Sequence, residues 1–289
     1  MASVSRIFQA RIRDLGGFSV RRVLPHPGGR SVGPFVFLDH MGPVSMPPGQ
    51  GMDVPPHPHI GLATLTYLYE GEIRHRDSAG YVQTIRPGDV NWMSAGRGVV
   101  HSERSTSSAR AAGASVHGLQ SWIALPRSFE ETPPAFRHHP ASKLPVVRLP
   151  GAHLVLIAGR AFGKVSPAEV HSPMFHIDAQ LDADASLALP PDYAERAVYI
   201  VSGTARIEEN TLPEGTLALL TAGETALLEA AGPVRAVLFG GEPLAEPRHI
   251  WWNFVSSSPE RIERAKADWK AQRFPPVPGE TEFIPLPEH

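Results

Sequence analysis

One pattern of strand, glycine turn and strand occurs twice in this chain, in the same order of parts. YLYEGEIR at residues 67–74 has a counterpart in YIVSGTARI at residues 199–207. The following segment recurs too, as TIRPGDVNWMSAG at 84–96 and TLPEGTLALLTAG at 211–223. Two matches in one order predict a duplicated β unit, which constrains the fold more than any other feature of the sequence.

The repeated segments have the periodicity of strands. Residues 63–68, ATLTYL, alternate in side-chain character with the period of two that is expected when one face of a strand points inward. The 26 Gly and 30 Pro suit turns and strand ends and are too many for a helical bundle. We therefore predict an all-β protein with two antiparallel β-barrel or jelly-roll domains.

A proline-rich segment at 124–145 separates the two copies. We place the domain boundary there and predict an N-terminal domain at 1–135 and a C-terminal domain at 136–289. The C-terminal domain would carry one short helix, because Ser258 and Pro259 form an N-cap and first-turn proline ahead of an acidic first turn. The proline-rich end after this helix should be an extended tail packed over one of the domains.

Composition excludes several classes of function. The formal charge is -2 with dispersed basic residues, so we predict no direct nucleic-acid partner and no membrane partner. The 289 residues include no Cys, which excludes disulfides, thiolate catalysis and Cys-ligated metals. The first residues have no apolar leader segment, and we expect a cytoplasmic protein.

Four polar residues form two pairs with the same spacing. His57 and His59 are two residues apart, so on an extended segment both side chains leave the same face, about 6.6 Å apart. His101 and Glu103 have the same spacing further along the same domain. Together they supply three imidazoles and one carboxylate, a set that can bind one metal ion.

A structural interpretation of these histidines competes with the metal site. An isolated His-x-His in a loop is more often solvated or packed at a strand end than a metal ligand. The second copy of the repeat has neither pair: Leu228 stands where His101 would fall and Ala230 where Glu103 would fall. The fold therefore does not need the histidines, and this favours metal binding.

The donor set does not select one metal. Imidazole and carboxylate without sulfur suit Fe(II), Mn, Co, Ni, Cu or Zn. Four protein ligands would close a tetrahedral zinc site, whereas an octahedral metal keeps two positions for substrate and dioxygen. We therefore favour Fe(II), with Ni, Co, Mn, Cu and Zn as alternatives.

Three segments resemble the pirin family of the cupin superfamily. They are HPHIGLATLTYLYEGEIRHRDSAG at 57–80, RPGDVNWMSAGRGVVHSE at 86–103 and RHIWWNFVSSSPERIERAKADW at 248–269. The resemblance implies a bicupin fold, with a mononuclear metal, usually Fe(II), in the N-terminal domain only. It also implies the ligands His57, His59, His101 and Glu103.

The resemblance implies an activity as well. Bacterial proteins similar to this chain cleave flavonols such as quercetin with dioxygen, as quercetin 2,3-dioxygenases, so a small aromatic substrate and O2 are the expected partners. Glu103 would act as a catalytic base. The alternative is a non-enzymatic, iron-dependent regulatory protein like the transcriptional cofactors of animals, with a protein partner that the sequence does not identify. A β protein with incidental histidines is the third possibility.

Two further sets of residues have open roles. His75 and Asp77 lie on one face of a predicted strand, where they either face solvent or support the metal site. Gln120 alternates with Trp122, which we expect in the core, so that Gln120 could reach the pocket.

Overall fold

A computed structural model describes residues 3–14, 18–29 and 31–288. The described chain is built mostly of strands with two α-helices, α1 (Ser107–Ala112) and α2 (Pro259–Lys270). The first strands are β1 (Val4–Gln9), β2 (Arg11–Asp14), β3 (Ser19–Leu24), β4 (Phe35–Ser45), β5 (Asp53–His59), β6 (Leu62–Gly71), β7 (Ile73–Asp77), β8 (Val82–Ile85), β9 (Val90–Ser94), β10 (Val99–Arg104), β11 (Ser115–Ala124) and β12 (Ala135–His139). The later strands are β13 (Val146–Leu149), β14 (Ala152–Ala161), β15 (Lys164–Val165), β16 (Met174–Leu181), β17 (Ser186–Leu189), β18 (Glu195–Ser202), β19 (Thr204–Ile207), β20 (Asn210–Pro213), β21 (Thr216–Leu220), β22 (Ala226–Ala230), β23 (Val234–Gly241), β24 (His249–Trp251) and β25 (Phe254–Ser256).

The chain divides into two compact units. One, which we call the histidine unit, consists of Asp14–Val20, Met41–Ala141 and Ala245–His289. The other, which we call the apolar unit, consists of Met1–Arg13, Arg21–His40 and Ser142–Leu244.

This division differs from the predicted domains, 1–135 and 136–289, at both ends of the chain. β1 pairs with β21, so the first strand completes the sheet of the apolar unit. Helix α2 and the tail pack on the histidine unit instead, where Trp269 and Val277 join a buried cluster with Ile60 and Val100. Strand pairing and apolar burial between distant segments decide these memberships, and the repeat alone does not reveal them.

The histidine unit contains two antiparallel sheets. One has the order β5-β10-β7-β8, and the other contains the run β12-β9-β6-β11. Hydrogen bonds and ring contacts link side chains of the two sheets inside the unit, as between Thr66 of β6 and Glu103 of β10. The candidate site therefore lies between two sheets.

The apolar unit repeats this arrangement. Its smaller sheet has the order β17-β22-β19-β20, which corresponds to β5-β10-β7-β8. Its larger sheet contains the run β21-β18-β23, which corresponds to β9-β6-β11. Gly71 and Gly203, paired by the repeat, both have a φ of +82°, a conformation that glycine adopts at little cost. The predicted duplication, and the all-β fold of two antiparallel domains, are confirmed.

The C-terminal helix begins where the sequence indicates. Ser258 is the N-cap of α2, and its Oγ accepts a hydrogen bond from the backbone N–H of Arg261. Pro259 is the first helical residue. Beyond α2 the tail lies along the histidine unit, and the Trp269 indole donates to the Ile284 carbonyl oxygen. In the part of the chain that the structure describes, neither helix has the length and apolar character needed to span a bilayer.

Candidate metal centre

Three histidine rings converge between the sheets of the histidine unit. In the pairing of β5 with β10, His101 lies directly opposite His57. The ring centroids of these two residues are 4.4 Å apart, and each lies 5.0 Å from that of His59. One ring nitrogen from each histidine lies within 4.8 Å of the other two, so the three could hold one metal ion.

Backbone carbonyls orient the two rings of β5. His57 Nδ1 lies 2.9 Å from the Pro55 carbonyl oxygen, and His59 Nδ1 lies 3.2 Å from that of Asn253. A carbonyl oxygen can only accept, so each Nδ1 carries the proton and donates. In the neutral rings Nε2 is then left as a lone-pair donor, the form that binds a metal.

The closest nitrogen pair also fits a bound cation. His59 Nε2 and His101 Nε2 are 3.1 Å apart in a fully buried environment. Since the proton of His59 is on Nδ1, its Nε2 presents a lone pair to His101. A bound cation would lie between these two nitrogens and accept a lone pair from each.

Burial keeps the three rings neutral. Desolvation lowers the pKa of His57 to about 4, against an ordinary value of 6.5. Desolvation also lowers the pKa of His59 and that of His101 well below 6.5, and the neighbouring histidines add to the effect. The site therefore presents neutral imidazoles at neutral pH, as metal coordination requires.

Glu103 lies on the same strand as His101 but is not in the group of three. A β-bulge separates the two residues in the pairing with β5. The Glu103 carboxylate accepts hydrogen bonds from Thr66 Oγ1 at 3.3 Å and from Gln120 Nε2 at 3.4 Å. Burial raises the pKa of the Glu103 carboxyl group. Its role as a fourth ligand stays a prediction.

Gln120 reaches the site, as its alternation with Trp122 suggested. Its Oε1 accepts a hydrogen bond of 2.7 Å from Thr66 Oγ1, opposite it across the β6–β11 pair. Trp122 is buried and packs edge-on against His59, with ring centroids 5.1 Å apart. These side chains of the larger sheet cover the histidines.

His75 and Asp77 do not face solvent, so that interpretation of the strand is wrong. Their relative exposures are 4% and 1%. His75 Nε2 lies 2.9 Å from Asp77 Oδ2, and His75 Nδ1 lies 3.3 Å from His101 Nδ1. The sequence predicted that the two side chains share a strand face. It did not predict that β7 pairs with β10, which places them beside His101.

Comparison with known proteins places this chain in a family. A family model described as Pirin matches residues 17–123, and the Pirin C-terminal cupin domain matches residues 176–275. A pirin-like protein of Caulobacter vibrioides is 50% identical over 289 residues, 99% of this chain and 100% of the relative. The chain belongs to the pirin family.

Two solved structures are similar to this chain. The quercetin 2,3-dioxygenase of Acinetobacter baumannii superimposes with a TM-score of 0.92 at 34% identity, covering 98% of this chain and 95% of that protein. A bacterial pirin of Escherichia coli, solved in complex with nickel(II), has a TM-score of 0.65 at 19% identity, covering 83% of this chain and 100% of that one. The second likeness shows the shared fold alone.

The apolar unit of this chain has no counterpart of the three-histidine cluster among its described residues. In its smaller sheet, the buried residues of β17, β19 and β22 are all apolar: Leu187, Leu189, Ala205, Ile207, Ala226, Leu228 and Ala230. Leu228 and Ala230, the matches of His101 and Glu103, belong to this core. The same strand pairing therefore folds around an apolar interior, and the histidines are not a requirement of the fold.

Proposed function

We propose that the histidine unit holds one metal ion through His57, His59 and His101, with Glu103 as fourth ligand, and that Fe(II) is this metal. The observation that carries the proposal is the convergence of three buried, neutral imidazoles on one point. Imidazole and carboxylate donors without sulfur suit Fe(II), which could bind both substrate and dioxygen. Ni, Co, Mn, Cu and Zn suit the same donors and are compared in the test below.

We further propose that the bound metal serves the cleavage of a flavonol by O2, as in a quercetin 2,3-dioxygenase. The likeness to the A. baumannii enzyme over nearly the whole chain supports this reaction class. When bound, the metal supplies a Lewis acid that lowers the pKa of the flavonol 3-hydroxyl. The electron-rich enolate would take up both atoms of O2 at the two carbons that flank the 3-carbon, and breaking the two ring bonds of the 3-carbon would open the ring and release that carbon with its oxygen as carbon monoxide.

Glu103 is the proposed catalytic base of this reaction. Its buried carboxylate, on loosening from the metal, would accept the proton of the 3-hydroxyl group, because burial raises the pKa of the Glu103 carboxyl group. Thr66 and Gln120, which donate to its oxygens, hold the carboxylate in place. The buried Trp122 beside His59 keeps water away from the reacting atoms.

The test is anaerobic Fe(II) reconstitution of the wild type and His101→Ala, followed by elemental analysis. His138→Ala is the matched control, because His138 bonds to Asn91 and not to the three histidines. Oxygen uptake and carbon monoxide release are then measured with quercetin, and again after loading with each of the other metals.

We expect the wild type and the control to bind about one metal each and turn over, and the His101→Ala protein to do neither. A wild type that binds no metal would overturn the site. Metal without turnover of quercetin would overturn the enzymatic proposal and favour the iron-dependent regulatory alternative.

A further inference from the structure

We propose that Asp77 and His75 fix the tautomer of His101, so that its Nε2 lone pair points at the metal. The inference rests on the metal site proposed above and assigns it two positioning residues. The two residues lie on β7, the neighbour of the strand that carries His101.

The hydrogen bonds determine where the protons are. Asp77 Oδ2 is a carboxylate oxygen, so His75 Nε2, at 2.9 Å, carries a proton and donates. With this one ring proton, His75 would offer only a lone pair at Nδ1 and would accept there. His101 Nδ1, at 3.3 Å, is therefore the donor, which leaves Nε2 of His101 without a proton.

The series of hydrogen bonds from the Asp77 carboxylate to the His101 imidazole is held rigidly. Asp77 Oδ1 accepts from the backbone N–H groups of Ala79 and Tyr81, at 2.9 and 3.0 Å. The His75 ring stacks on Phe136, with centroids 4.5 Å apart and planes inclined by 19°. Neither side chain can rotate without losing these contacts.

His101 needs such a partner more than the other two rings do. Nδ1 of His57 and Nδ1 of His59 each donate to a backbone carbonyl, which fixes their tautomers without help from a side chain. His101 Nδ1 instead lies against another imidazole, that of His75, which can donate or accept. Asp77 removes that ambiguity because a carboxylate only accepts, and such outer partners raise the metal affinity of histidine sites.

The apolar unit shows that the pair is not there for folding. In the equivalent strand β19, the buried residues are Ala205 and Ile207, and both belong to the apolar core. Burying a carboxylate and an imidazole costs free energy that an apolar pair does not. At this strand position the histidine unit alone carries such a pair, which points to a role at the site.

Asp77→Asn tests the assignment because it inverts the chain of hydrogen bonds. The Asn carbonyl can still accept from the turn, while its NH2 group faces His75 Nε2 and makes that atom an acceptor. His75 Nδ1 then donates to His101 Nδ1, and the proton of His101 moves to Nε2. The matched control is Asp89→Asn, since Asp89 pairs with His138 in the same unit, 3.7 Å from Nε2.

Two readouts are needed. The affinity for Co(II) is measured by titrating the metal-free proteins with Co(II) in the presence of a competing chelator. The visible absorption of Co(II) monitors binding. We expect a loss of about 10- to 100-fold in Asp77→Asn and no loss in Asp89→Asn. Long-range proton–nitrogen NMR of the metal-free proteins at neutral pH should show the His101 proton on Nδ1 in the wild type and on Nε2 in Asp77→Asn.

Each outcome has a separate meaning. A wild-type His101 that carries its proton on Nε2, or an Asp77→Asn protein that binds Co(II) as tightly as the wild type, would overturn the inference. A wild type that binds no Co(II) would overturn the proposed metal site instead, while the NMR spectrum would still decide the tautomer. If Asp77→Asn does not fold, the wild-type spectrum alone decides the inference.

Discussion

Arg104 and Glu280 form a two-pronged ion pair, with Arg104 Nη2 2.8 Å from Oε2 and Nε 3.2 Å from Oε1. Ser102 also donates to Glu280, at 2.9 Å. Ser102 and Arg104 alternate along β10 with His101 and Glu103, so they lie on its opposite face. The C-terminal tail is thus bonded to the back of the strand that carries the candidate site.

Arg104→Ala should release the tail. Charge-assisted, bidentate pairs contribute more than ordinary surface pairs, so we expect a loss of about 1–2 kcal/mol in the free energy of unfolding. Trypsin should cleave after Arg273 several times faster, which mass spectrometry of timed digests would show. The control is Arg206→Ala, which removes an exposed pair with Glu229 in the apolar unit. Equal cleavage rates in the two variants would contradict the role of Arg104.

Gly61→Ala should disturb the orientation of His59. Gly61 has a φ of +66°, and a Cβ there would overlap the carbonyl oxygen of Val255. The left-handed conformation alone costs an alanine about 1–2 kcal/mol. Displacing this segment also moves the Asn253 carbonyl that bonds His59. We expect a lower unfolding midpoint in urea and weaker Co(II) binding.

Gly163→Ala is the control for this change. Gly163 has a similar φ of +68°, and nothing lies within 4 Å of its Cβ position. It should lose stability without losing metal affinity. If Gly61→Ala bound Co(II) as tightly as this control, the Asn253 carbonyl would not matter to the site.

Glu103→Gln should separate catalysis from assembly of the site. The amide has the same shape and keeps an acceptor for Thr66, but it cannot take a proton from the substrate. We expect the three histidines to retain metal and quercetin turnover to fall at least about 100-fold. Glu72→Gln, which alters a carboxylate bonded to Thr106 in the same unit, should leave turnover unchanged. Full turnover in Glu103→Gln would remove Glu103 from the reaction.

His176 should make the apolar unit sensitive to acid. Burial lowers its pKa to about 3 from 6.5, and its ring lies against Phe35 and Phe239. Between these two pH values the unfolded chain binds a proton that the folded chain does not, so stability falls as the pH falls. The contribution of His176 is about 1.4 kcal/mol per pH unit below 6.5.

His176→Phe should remove this contribution. Urea unfolding of the metal-free protein at pH 7 and pH 5 should show about 2 kcal/mol less acid destabilisation than in the wild type. Phe239→Leu, a change at an apolar residue whose ring lies against His176, is the control and should lower stability without altering its pH dependence. An unchanged pH dependence in His176→Phe would contradict the assignment.

Much of the site could be predicted because strand parity is a local property. The spacing of His57 and His59 placed both rings on one face, and the repeat showed that the fold does without them. The same reasoning placed His75 and Asp77 together but did not say which strand lies beside theirs. The sequence therefore did not decide whether His75 and Asp77 face solvent or support the metal site.

The sequence by itself determined the duplicated β architecture, the start of the final helix and the face on which each histidine lies. These follow from periods of two, glycine turns and caps, all of which act over a few residues. Only the tertiary structure decided that β10 lies between β5 and β7, and that the Asn253 carbonyl comes from the far end of the chain to hold His59. Strand order and apolar burial join residues that are distant in sequence, and no local pattern specifies them.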